Sequence, residues 1–169
     1  MMLRLMAVIA STILLLLGPV QAYEKASNAR QEEVAKRGAQ VMPFSLERTL
    51  HIFTKTKSGG IQQVVAKDPS DTRQITLIRE HLSMISKEFA QGNFSAPASI
   101  HGNDMPGLAE LEKARPGQLR IEYKELPDGA QIAYSSASPE LIDAIHRWFD
   151  AQLADHAGAL SSLPEHYKK

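Results

Sequence analysis

From Leu46 to Thr56 (LERTLHIFTKT) apolar and polar residues alternate, the two-residue period of a half-buried strand. Leu46, Leu50 and Ile52 fall on one side of it; Thr49, His51 and Phe53 fall on the other. Lys57-Ser58-Gly59-Gly60 is a turn, and Ile61–Ala66 (IQQVVA) returns, so the pair predicts a hairpin. The period then changes. Between Thr72 and Ala90, Ile75, Ile78, Leu82, Ile85 and Phe89 recur at helical spacing. Asp68-Pro69-Ser70-Asp71 supplies oxygen side chains that cap the free N–H groups at the helix start, and Gly92 ends it.

Asn93–Gly107 (NFSAPASIHGNDMPG) shows no period and is rich in turn residues, so it reads as a long loop with a role of its own. A short helix is predicted from Leu108 to Ala114, stopped by Pro116-Gly117. Leu119–Leu126 alternates again, Pro127-Asp128-Gly129 turns, and Ala130–Ser135 completes a second hairpin. Ser138 as cap and Pro139 at the first helical position open a last helix reaching about His156.

The chain thus uses one unit twice: strand, glycine turn, strand, capped amphipathic helix. Gly60 matches Gly129, and Ile75, Ile78 and Leu82 match Ile142, Ile145 and Phe149. The predicted fold class is α+β, an antiparallel sheet from two β-hairpins, each followed by a helix (ββα–ββα), with both helices on one face. The face bearing His51 and Phe53 is then the open one, with the Asn93–Gly107 loop available to cover it.

Composition refines this picture at the N-terminus. Arg4 followed by an uncharged apolar run, Leu5–Leu17, then Gly18-Pro19 and a small-x-small site at Val20-Gln21-Ala22, has the form of a cleaved signal peptide. The run is short of the about 20 apolar residues that span a bilayer. The reading divides the chain into a signal peptide (1–22), a polar N-terminal arm (23–43), a single α+β domain (44–158) and a flexible tail (159–169). It places the mature protein in the periplasm or outside the cell, off the membrane after cleavage.

Nineteen basic and nineteen acidic residues give zero net charge, which argues against nucleic acid as a partner. The absence of cysteine removes disulfides, iron–sulfur clusters, thiol nucleophiles and cysteine zinc sites. Histidine, methionine and carboxylate remain for metal chemistry.

Three histidine settings are candidates. His146 sits within the apolar stripe of the last helix, with Asp150 one turn on to accept its N–H and leave the other nitrogen for a metal or a proton. His101 and Met105 are four apart around Gly102, and imidazole with thioether suits copper. His51 lies beside Phe53 on its strand. The bland alternatives are a core histidine tied to a backbone carbonyl for His146, a core-filling thioether for Met105, and a solvent-facing strand residue for His51. His81 reads as an edge residue of its helix. His156 reads as a helix C-terminal residue, where the dipole favours a protonated ring, and His166 as part of the tail.

Five segments resemble a group of small exported bacterial proteins: Met42–Leu46 (MPFSL), His51–Thr56 (HIFTKT), Ile100–Gly107 (IHGNDMPG), Leu126–Ala130 (LPDGA) and Ala144–Gln152 (AIHRWFDAQ). Proteins of that group often carry the name aspartate carbamoyltransferase. That enzyme family uses a Ser-Thr-Arg-Thr helix terminus and a His-Pro pair, and this chain has neither, so the activity is not expected. The resemblance implies an exported single domain and directs attention to His51, His101, Met105 and His146.

The reading that follows is an exported binding or handling protein for a transition metal, copper above others, held by His51, His101, Met105 and His146 with Asp150 behind His146. Haem with His/Met ligation is a variant. The alternatives are a module whose open sheet face holds a small molecule or protein partner, and a small enzyme using His146 with Asp150 as general base.

Overall fold

The computed structural model describes residues 25–156. The signal segment 1–22, the tail from 159 and His166 lie outside the described residues. Two hairpins are present: β1 (Thr49–Thr56) with β2 (Gly59–Ala66), and β3 (Arg120–Leu126) with β4 (Gly129–Ser135). Lys57-Ser58 and Pro127-Asp128 are their two-residue turns, so the residue matching Gly129 is Gly59, one place before Gly60. The hairpins join through β2 and β4 into one antiparallel sheet of order β1-β2-β4-β3. The protein is α+β, as the alternation and the helical stripes predict.

Helix α2 (Thr72–Ala90) is capped by the Asp71 side chain, and α5 (Pro139–Asp155) by Ser138. Each helix lies mainly on the other unit's hairpin: α2 on β3 and β4, α5 on β1 and β2. This exchange gives the two halves one shared core. Trp148, Phe149, Ile145 and Ala144 of α5 meet Ile78, Leu82 and Phe89 of α2 above Val64, Ile132 and Tyr134 of the sheet. Full burial of side chains of this size contributes roughly 1.5–3 kcal/mol each.

The register reverses the expected facing of β1. His51 pairs with Val64 and Phe53 with Gln62, which in turn pair with Ala130 and Ile132 of β4. Val64, Ala130 and Ile132 belong to the core, and the Phe53 ring lies 5.1 Å from that of Phe149. His51 and Phe53 therefore point under the helices, and Leu50 and Ile52 are on the opposite face. Alternation fixes which residues share a face but not which face is covered.

Two segments outside the predicted hairpins and helices are helical, the arm within its loose or partly helical reading and the Asn93–Gly107 stretch against its reading as a loop. The arm contains helix α1 (Asn28–Val41), capped by Ser27, with Val34 and Gly38 buried. The Asn93–Gly107 stretch begins with helix α3 (Ser95–His101). Helix α4 (Leu108–Glu112) follows and packs on α5. The turn before it needs Gly107: φ is +81°, and an added Cβ would lie 2.1 Å from the Ala144 carbonyl oxygen. A short 3-10 turn, Leu46–Arg48, leads from α1 into β1.

Candidate metal centre

The fold brings four histidines from four elements to one end of the core. His51 is on β1, His81 on α2, His101 ends α3, and His156 caps the C-terminus of α5. Ring centroids are 5.5 Å apart for His51 and His156, and 5.1 Å for His156 and His101. Phe44 bridges to the fourth, at 5.9 Å from His51 and 5.6 Å from His81. His51, His81 and His101, with Met42, Trp148 and Gln152, line a cavity of about 30 Å3. That is space for an ion or one or two waters.

His101 is 2 % exposed and is fixed from behind. Its Nδ1 lies 2.7 Å from Asp155 Oδ2. Asp155 also accepts from Arg30 of α1, through Nε at 3.1 Å and Nη2 at 2.9 Å, while Nη2 reaches the His101 carbonyl oxygen. Burial alone would raise the Asp155 carboxyl. The hydrogen bonds and charges of His101 and Arg30 outweigh it and hold Asp155 at about 2. The carboxylate is thus ionised and neutralised by a guanidinium that the same pairing keeps protonated.

The neighbouring rings have no such support. His51 Nε2 and His156 Nε2 are sealed from solvent and have no hydrogen-bond partner among the described residues, and neither does Nε1 of Trp148. Burial, reinforced by the other histidines, lowers His51 to about 3. Burial and His101 lower His156 to about 4, against the pull of Asp155. The helix-dipole argument for a protonated His156 loses here. Proximity to a helix C-terminus is worth at most about 2 kcal/mol, less than taking an imidazolium out of water. Burial likewise lowers His81.

The sequence-derived ligand set does not assemble as a whole. His51 and His101 both line the cavity. His146 lies elsewhere, with Nε2 3.0 Å from the Thr56 carbonyl oxygen and 2.9 Å from that of Gly59, closing the first hairpin. Asp150 pairs with Lys55 rather than with His146. Met105 is packed in the main core beside the residues of α4 and is not part of the cavity wall. In their place stand His156, His81, Met42, Asp155 and Arg30. Among the described residues, no three histidine or carboxylate side chains surround one point closely enough to hold an ion as they stand.

Sequence reasoning passes over His156 because its local setting explains it, and over Met42 and Arg30 because the arm shows no strong apolar stripe. Compared with family models, curated proteins and solved structures, the chain matches none. No described helix is long and apolar enough to cross a membrane.

Proposed function

We propose that this is an exported protein that binds and hands on a transition metal, copper above others, at the histidine cluster. The ligands are His51, His156 and His101, with the Met42 thioether at the cavity wall. One observation carries the reading: two buried imidazole nitrogens, on rings 5.5 Å apart, have no partner among the described residues. A buried polar atom without a partner costs about 1–3 kcal/mol. Two together are a standing cost that a bound electrophile removes.

The chemistry of the groups narrows that electrophile. Burial holds His51 and His156 neutral at neutral pH, so each ring keeps one nitrogen lone pair to offer and a proton is not the natural occupant. Imidazole with thioether favours copper over hard cations. Asp155 on Nδ1 of His101 is the arrangement that orients and strengthens metal-binding imidazoles. A cavity of about 30 Å3 does not admit haem or an organic substrate. That size counts against the haem variant and against a general-base enzyme built on the Asp155–His101 pair.

The test is metal analysis of the purified protein together with a Cu(I) titration against a chelating competitor. One copper per chain is expected, lost in His51→Phe and in His156→Phe while circular dichroism shows both variants folded. A folded wild-type protein that holds no copper and never competes with the chelator sinks the proposal.

A further inference from the structure

Resting on the metal reading above, we infer that Arg30 sets the charge of the ion the site accepts, making it a site for a soft monovalent cation, Cu(I) or Ag(I), rather than a divalent one. The observation is the electrostatic balance of the cluster. No described residue lining the cavity carries a permanent charge. The carboxylate nearest the histidines is Asp155, 2.7 Å from His101 Nδ1. Its two oxygens are both engaged by Arg30, Oδ1 by Nε and Oδ2 by Nη2. This fork is the two-point geometry in which guanidinium cancels a carboxylate most completely. With His101 bound as a neutral imidazole, as a metal ligand must be, the donor set an ion would meet is therefore neutral as a whole.

That balance discriminates between ions. The cost of taking an ion out of water grows with the square of its charge, so a divalent ion pays about four times the penalty of a monovalent ion of equal size. Neutral imidazoles bind divalent ions well only in number, three or more with water or a carboxylate completing the shell, and the described cluster offers no such group. Neutral imidazole and thioether suffice for a soft monovalent ion that takes two or three such ligands. Geometry agrees: among the described residues no three histidines or carboxylates close around one point, while two adjacent rings each carry a nitrogen without a partner there. A carboxylate without Arg30 would add a full negative charge one imidazole away, and a divalent ion gains twice as much from it as a monovalent one.

Arg30 also belongs to the least expected part of the site. It projects from α1, the helix formed by the polar arm, and its side chain is about one-third exposed. Replacing it by glutamine takes the paired donors from Asp155 and the donor from the His101 carbonyl, so circular dichroism accompanies each titration to show that the variant is folded.

The experiment compares wild type, Arg30→Gln and Arg30→Lys, each titrated without oxygen with Cu(I) and Ag(I), and in parallel with Zn(II) and Cu(II), by chelator competition. Wild type is expected to prefer the monovalent ions. In Arg30→Gln the ratio of divalent to monovalent affinity should rise about tenfold to a hundredfold. Arg30→Lys, which keeps the charge, should stay within about threefold of wild type. Wild type binding Zn(II) as tightly as Cu(I), an unmoved ratio in Arg30→Gln, or an equal rise in Arg30→Lys overturns this inference and leaves the metal reading standing. A wild-type protein that takes up none of the four ions ends both.

Discussion

A neutral imidazole buried with one nitrogen unpartnered is an expensive residue, and His51 and His156 are two of them in ring contact. The expense has a pH signature. Both titrate below the ordinary 6.5 of imidazole when folded, at about 3 and about 4. Between those values and 6.5 the unfolded chain binds more protons than the folded one. Stability is therefore complete above pH 6.5 and falls as the pH drops through this window. Each histidine contributes a slope of up to about 1.4 kcal/mol per pH unit. Urea denaturation of the metal-free protein at about pH 5 and about pH 7.5 measures it. His51→Phe should flatten the dependence in part, since it removes one of the three histidines, His51, His81 and His156, that burial holds below the ordinary value. A wild-type midpoint that does not move with pH would mean that these rings are not buried in solution.

At the scale of elements, histidines of the same type do different work according to what their helix or strand is packed against. His146 has partners for its ring: the carbonyls of Thr56 and Gly59, at the two ends of the first turn. It ties α5 to the hairpin beneath it. His146→Ala should cost about 1–2 kcal/mol, the price of freeing two carbonyls from one donor, and leave copper affinity unchanged. Thermal melts and the Cu(I) titration read the two effects separately. Loss of copper binding with unchanged stability would return His146 to the ligand set. The elements themselves were largely legible: α2 appears over Thr72–Ala90 as its stripe and cap predict, and both hairpins are within a few residues of their predicted bounds. The inward phase of β1 was not legible. Leu50 and Ile52 are as apolar as a core face needs, and only the pairing of His51 with Val64 and of Phe53 with Gln62 decides between them. Helix α3 was hidden by Pro97 and by the turn residues on either side of it.

At the scale of the molecule, the cluster is assembled by the exchange of helices between the two hairpins. The end of α5 brings Asp155 and His156 to β1, where the His156 ring meets that of His51, while Met42 after α1 and His101 at the end of α3 line the cavity and Arg30 of α1 holds Asp155. No local pattern contains that convergence, because the four histidines come from positions 51, 81, 101 and 156. An ion bound there would link elements of unequal stability. The strands β2 and β4 are central in the sheet, whereas α1 buries only Val34 and Gly38. Binding to the folded state alone adds about 2.7 kcal/mol at a free ion concentration of 100 times Kd. The gain should appear as a raised melting temperature. It should be distributed unevenly, since local opening of weakly held segments is what a ligand bridging them suppresses. Hydrogen exchange with and without copper is expected to slow most in α1 and α3 and least in β2 and β4, whose amides already open only with the whole molecule. Protection confined to exposed histidine-free surface, or absent from α1, would mean that copper binds elsewhere and that the helix carrying Arg30 takes no part in closing the site.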